Sequence, residues 1–343
     1  VQADVNLTLK AINLRKYGQE IIRILGGRRI HPVFAVPGGV NKSLKSDERD
    51  EILSGLDEAI ATIQVGIDII KGWAEKNADD INKFAVFPTG YLSMVKPGNA
   101  LELYDGDIRL IDKNGKQLEL FDGRTYLDYI AEHVESWSYL KFPYYKKMGF
   151  PQGVYRVGPL GRLNACDQIS TPLANTELKA FKSLNQGKPI ENTLHYHYAR
   201  LIEALYAAEN VRVLLDDKDI LSTDIINTRR NFKGEGVGVI EAPRGTLWHH
   251  YWANESGQLT RVNLIVATGN NNWSMCNAVD SVAKTYIHGP DVQEGMLNRV
   301  AAAIRAHDPC LSCSTHAVGQ MPIVIEVLDP DGNIIQTISR DHA

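Results

Sequence analysis

Apolar residues recur at helical spacing in three long stretches. In 52–76 the positions Leu56, Ile60, Ile63, Ile67 and Ile70 fall alternately four and three apart, which predicts a long helix with one buried face. In 195–215 the residues Tyr198, Leu201, Ile202 and Leu205 mark a second stripe. In 291–306 the positions Met296, Leu297, Val300 and Ile304 mark a third helix, which delivers the chain to Asp308-Pro309-Cys310, where the proline favours an extended segment. Between these helices the pattern shortens to alternation. Ile108 to Leu120 reads as a hairpin around Asn114-Gly115, a pair suited to a tight turn. Residues 237–252 and 261–268 read as a strand pair around Asn254-Glu-Ser-Gly257, and Ile323 to Ile338 as a third pair around Asp329-Pro-Asp-Gly332. The fold class is α+β and mostly helical, with small sheets, no internal repeat and no clean linker.

Composition narrows the function classes. With 343 residues the chain can bury a substantial core, and 44% hydrophobic with 23% charged residues is ordinary for a globular protein. A net charge of −4 gives no reason to expect nucleic-acid binding, and no apolar run is long enough for a membrane span. Cysteine is sparse: Cys166 and Cys276 stand alone, while Cys310 and Cys313 form C-x-x-C. That is not the pattern of a disulfide-stapled secreted domain, so a reducing, cytoplasmic setting is expected.

The densest chemistry is Asp308-Pro309-Cys310-Leu311-Ser312-Cys313-Ser314-Thr315-His316. Two thiols at this spacing can grip one soft metal ion, and His316 could add a nitrogen ligand. Spacing alone leaves a redox pair or inert thiols open. Elsewhere the ordinary readings hold. Cys166 and Cys276 read as small buried hydrophobes, and His195 and His197 as hydrogen-bonded helix residues. His249-His250 is structural or supports a site on the neighbouring strand, and Gly234 to Gly238 is a strand approach rather than a phosphate loop. By itself Arg244 would be a surface ion-pair residue, and Asp308 a turn residue.

Longer strings carry more. Gly26-Gly27-Arg-Arg-Ile-His31-Pro, Trp137-Ser-Tyr-Leu-Lys-Phe-Pro143, Tyr155-Arg-Val-Gly158-Pro159-Leu-Gly-Arg162-Leu-Asn164, Glu241-Ala-Pro243-Arg244-Gly245 and the closing Asp-Pro-Cys-x-x-Cys-x-x-His follow one another in order. This series, from about residue 12 onward, resembles the large subunits of nickel–iron hydrogenases, most closely the NAD-reducing, bidirectional group. The resemblance implies a large-subunit-like helix bundle with small peripheral β-hairpins. It also implies a nickel–iron centre carrying CO and cyanide, with Cys310 as terminal nickel ligand and Cys313 as bridging thiolate. Arg244 then matches the arginine over the open metal position and Asp308 the carboxylate that pairs with it. Pro243 and Thr268 match positions lining the cyanides. His316 matches the maturation-cleavage histidine, which also helps to hold a structural magnesium ion after processing.

The same resemblance implies partners: an iron–sulfur small subunit, diaphorase subunits with flavin and NAD, a maturation protease and nickel-insertion proteins. No dinucleotide fingerprint occurs in this chain, so the NAD site is expected on a partner. The family's other C-x-x-C and its proton-exit glutamate have no counterpart here, and residues 317–343 follow the histidine at which the family is cut. The expectation is therefore an N-terminally truncated, unprocessed catalytic subunit. Residues 1–316 would form its domain and 317–343 a removable extension, with both thiols reduced and the chain inactive alone. The alternative is a non-catalytic immature scaffold that binds maturation proteins or partner subunits. A relative from the quinone-reductase lineage is disfavoured by the retained Cys310 and Cys313.

Overall fold

The computed structural model describes residues 4–228, 233–289, 292–311 and 323–340. Helix α1 (Val5–Gly26) begins where the Asp4 carboxylate accepts from Leu7 N at 3.0 Å. Helices α2 (Ser46–Ser54), α3 (Leu56–Lys76) and α4 (Ala78–Ile81) follow. The expected helix over 52–76 is thus two elements, interrupted at Gly55, a residue that is costly inside a helix. Of its expected stripe Leu56, Ile63 and Ile67 are buried, and Ile60 and Ile70 pack partly buried against the same cluster.

The Asn114-Gly115 hairpin exists as β5 (Asp107–Ile111) and β6 (Gln117–Asp122), with its turn held by Asp112, which accepts from Asn114 N at 2.8 Å and Lys116 N at 2.9 Å. It extends into a five-stranded sheet through β3 (Gly90–Lys96), which pairs with β5 along one edge. On its other edge β3 meets β4 (Ala100–Leu101) antiparallel and β9 (Tyr155–Arg156) parallel. Two further small pairs are β1 (Ala35–Val36) with β2 (Gly39–Val40), and β7 (Ile130–Val134) with β8 (Lys141–Tyr145).

Helices α5 (Gly158–Ala165), α6 (Pro172–Ser183) and α7 (His195–Leu215) come next, the last with the expected bounds. The Glu209 carboxylate of α7 caps α6 by accepting from Leu173 N and Ala174 N, each at 2.9 Å. Residues 237–252, expected as one strand, are two: β10 (Glu235–Ala242) and β11 (Gly245–Ala253), folded back at Pro243-Arg244. Strand β12 (Leu259–Ile265) pairs with β11 around Asn254 to Gly257, as expected. Helices α8 (Asn272–Tyr286) and α9 (Glu294–Ala306) and the pair β13 (Ile323–Leu328) and β14 (Ile334–Arg340) complete the described chain.

The largest apolar cluster joins α3, α5, α6 and α7, with Ile63, Ile67, Leu160, Phe181 and Ile202 at its centre. A second lies between the five-stranded sheet and β11, where Leu92, Ile108 and Tyr126 meet Trp248. A third packs α8 on α9 through Ala278, Val282 and Ala303. The architecture is helix-rich α+β, and α5 sits where the first two clusters meet.

Candidate metal centre

The β10–β11 hairpin closes tightly: Ala242 pairs with Gly245, so Pro243 and Arg244 are the whole turn. Gly245 has φ 137°, and a Cβ there would stand 2.2 Å from the Val157 side chain. Gly158, at φ 78°, faces the same turn, since its Cβ would lie 2.8 Å from the Arg244 carbonyl oxygen. Only residues without a side chain let the turn rest against the start of α5.

Arg162 ties the turn from beneath. Its Nε donates to Glu203 Oε1 at 2.5 Å and its Nη2 to Glu203 Oε2 at 2.8 Å. Nη1 donates to Glu241 Oε2 at 2.7 Å and to the Ala242 carbonyl at 2.8 Å, and Nη2 also donates to the Pro243 carbonyl at 2.9 Å. Glu241 Oε1 accepts from Met94 N at 3.0 Å and from the Thr246 hydroxyl at 2.5 Å. Burial pushes the Glu241 carboxyl up, with Arg162 and the Thr246 hydroxyl opposing. Burial likewise works against the Arg162 charge, but Glu203 and Glu241 outweigh it and raise its pKa.

The other side of the site is the segment leaving α9. His307 is buried, and its Nδ1 lies 3.0 Å from the Ala303 carbonyl, which assigns the proton to Nδ1. Among the described residues its Nε2 has no hydrogen-bond partner, and its ring packs 4.7 Å from Tyr196. Burial, aided by the Arg156 cation, brings its pKa down to about 3, so the imidazole is neutral. Asp308 adopts a left-handed φ of 53°, which aspartate tolerates better than most residues and which Pro309 prevents from continuing as helix. Two residues on, Cys310 N donates to the hydroxyl of buried Thr268 at 3.1 Å.

Arg244 joins the two sides. Its Nε donates to the Asp308 backbone carbonyl and lies 3.3 Å from Oδ2, and its Nη2 reaches Oδ1 at 3.4 Å. Both side chains are partly exposed, at 37% and 46%. The structure therefore brings Arg244, Asp308, Thr268 and Cys310 into one place, with Pro243 in the turn. Cys313 and His316 lie outside the described residues.

The remaining candidates are structural. His250 links the Tyr126 hydroxyl at 3.2 Å to Glu235 at 2.9 Å, and His249 bonds Tyr251 at 2.7 Å. Cys166 is fully buried, which pushes its thiol up to about 12. Cys276 is a partly buried free thiol on α8. Arg162, Glu203, Glu241 and His307 were not singled out by the sequence. Arg162 and Glu241 do stand inside the quoted strings, and a charged residue in an otherwise apolar run such as Gly-Pro-Leu-Gly-Arg162-Leu was the available signal.

Among the described residues no three His, Cys, Asp or Glu side chains are placed to share a metal ion. Beside Arg244 the described residues place Cys310, one of the two thiol residues that the resemblance assigns to a nickel–iron centre, with Asp308 and Thr268 next to it. No helix among the described residues is long and apolar enough to cross a membrane.

Residues 103–316 match the family described as Nickel-dependent hydrogenase. The chain is 42% identical to the NAD-reducing hydrogenase HoxS subunit beta of Cupriavidus necator, across 99% of this chain and 72% of that protein. It is 39% identical to the matching chain of the F420-non-reducing hydrogenase vhc of Methanococcus voltae, across 98% of this chain and 72% of that one. The crystal structure of an NAD+-reducing NiFe-hydrogenase in the H2-reduced state superimposes with a TM-score of 0.87 at 41% identity, covering 91% of this chain and 69% of that chain. The motif series, the fold and these matches agree, and the chain belongs to the nickel-dependent hydrogenase family.

Proposed function

We propose that this chain is part of the catalytic large subunit of a cytoplasmic NAD-reducing nickel–iron hydrogenase, acting in reversible H2 oxidation and proton reduction. Electrons would pass through an iron–sulfur small subunit to flavin- and NAD-binding partners. Residues 1–316 would belong to the catalytic domain and 317–343 to an extension removed on maturation. The observation that supports this reading is the meeting of Arg244 with Asp308 beside the cysteine segment, from elements far apart in the chain. A guanidinium is a permanent cation with a planar fork, and Asp308 fixes where it points. Beside Cys310 it would stabilise negative charge on sulfur, while the Thr268 hydroxyl holds the segment by accepting from its backbone. In the mature enzyme Cys310 and Cys313 would be the thiolates this chain contributes.

The scaffold reading draws on the donor count, since this sequence holds one C-x-x-C pair, Cys310 and Cys313. Both readings expect these 343 residues alone to hold no stoichiometric nickel–iron centre and to be inactive. Metal analysis with infrared spectroscopy checks that, and bound nickel with CO and cyanide stretches would refute it. Activity separates the two. In the complete metallated enzyme, Arg244→Lys keeps the charge but loses the fork, and turnover should fall on the order of tenfold or more at unchanged metal content. Equal turnover at equal loading removes Arg244 from the chemistry.

A further inference from the structure

Arg162 is a fully buried cation that none of the roles above uses, and its bonding is complete. A guanidinium has five N–H donors in a rigid fork. Here five acceptors meet them: both oxygens of Glu203, one oxygen of Glu241, and the carbonyls of Ala242 and Pro243. Two of those acceptors are the backbone immediately before Arg244, and a third is on the residue that opens the same string. Glu203 belongs to α7 and Arg162 to α5, so the turn is fastened to two helices of the main core. Gly158 and Gly245 in addition let the turn press against the start of α5. Arg244 itself is half-exposed and meets Asp308 through a partly solvated pair, which alone orders a long side chain weakly.

We infer that Arg162 is a positioning residue for Arg244: by holding the carbonyls of residues 242 and 243 and the Glu241 carboxylate together, it sets the place and direction from which the Arg244 guanidinium reaches the cysteine segment. This rests on the reading of Arg244 given above. Glu203 serves as the anchor that keeps the Arg162 fork in the plane of the two carbonyls. Lysine cannot replace it, because three donors on one nitrogen cannot meet five acceptors spread across a fork.

Two measurements on Arg162→Lys test the inference. In the 343-residue chain, hydrogen exchange followed by mass spectrometry should show faster exchange in the peptide spanning 241–247, with β12 and α7 unchanged. Unchanged exchange at the turn, or an equal rise throughout the chain, would overturn the assignment, since the first denies the clamp and the second makes Arg162 a general tie of the core. In the complete metallated enzyme at equal metal content, Arg162→Lys should lower turnover on the order of 10- to 100-fold, the scale of a misplaced catalytic group. If Arg162 acts through Arg244, the same change in an Arg244→Lys background should cost much less than it does in the native enzyme. A loss of the same factor in both backgrounds sinks the inference. If Arg244→Lys is itself harmless, the fault lies with the reading of Arg244, and the exchange experiment then decides whether the clamp exists. Glu203→Gln, which keeps the shape of the anchor, should reproduce the direction of both effects more weakly.

Discussion

The two sides of the site are held by different means. The hairpin side is fastened by a saturated guanidinium, the buried Glu241 carboxylate, the partly buried Glu203 carboxylate and a turn pressed onto a helix start. The cysteine side leaves α9 through a neutral imidazole, a left-handed aspartate and a backbone N–H resting on the Thr268 hydroxyl. The first arrangement fixes a charge in advance of any ligand, which is what electrostatic preorganisation requires. The second ties its segment through backbone groups and one hydroxyl, without a buried charge pair among the described residues. The contrast is between a cation fixed by buried charge and a segment held through its backbone.

The sharpest way to break that contrast is Arg162→Met. Removing the cation leaves Glu241 buried and Glu203 partly buried without their partner, a change of the kind that costs about 3–5 kcal/mol. Urea unfolding of the chain should show that loss, with near-native secondary structure remaining in the folded baseline. A loss under about 1 kcal/mol would mean that the hairpin side is not held by charge.

How much of this was legible from the sequence follows the same divide. The stripes over 195–215 and 291–306, the Asn114-Gly115 turn and the Asn254–Gly257 loop were readable because periodicity and turn chemistry are local. Arg244, Asp308, Thr268 and Cys310 were identified through a resemblance, and the structure brings them together. Arg162 was hidden. Its five acceptors come from residues 203, 241, 242 and 243, and no spacing along the chain announces that they converge. The break in 237–252 was missed for a related reason: Pro243-Arg244 closes a hairpin in two residues, while apolar and aromatic positions continue on both sides. Gly55 was passed over inside a stripe that runs on from Leu56, since periodicity reports the face and not the interruption.

A smaller effect probes the cysteine side through acidity. His307 has a folded pKa of about 3 against an ordinary value of 6.5, so the folded chain keeps it neutral while the unfolded chain takes up a proton below 6.5. Its contribution is therefore complete above pH 6.5 and is lost as pH falls through the window down to about 3, at about 1.4 kcal/mol per pH unit. His307→Asn retains an N–H that can reach the Ala303 carbonyl but does not titrate. Compared with this variant, the native chain should lose about 2 kcal/mol more between pH 7 and pH 5 in paired urea titrations. Parallel pH profiles would show that His307 is not held neutral in the fold, and the cysteine side would then lack its acid-sensitive prop.

The smallest effect concerns the terminal hairpin, and it tests how far the cysteine side extends. Strands β13 and β14 pair with each other from Ile323↔Arg340 to Leu328↔Ile334. Their turn is closed locally, with Asp329 Oδ1 accepting from Asp331 N at 2.9 Å and Asn333 N at 2.8 Å. Leu328, Ile334 and Ile335 are each more than half exposed, at 53%, 56% and 54%. None of the four buried apolar clusters among the described residues includes a residue beyond Ala306. A two-stranded hairpin adds little by itself, and one outside the buried clusters of the described residues adds little to its neighbours. Ending the chain at His316 should therefore change the unfolding free energy by less than about 0.5 kcal/mol, the range of surface changes. It should also leave the Arg162→Met penalty unchanged, because distant sites add independently. A loss above about 1 kcal/mol on truncation would place residues 317–343 within the folding unit. The division at His316 would then mark a point where cutting the chain must rearrange the cysteine segment, not merely release a tail from it.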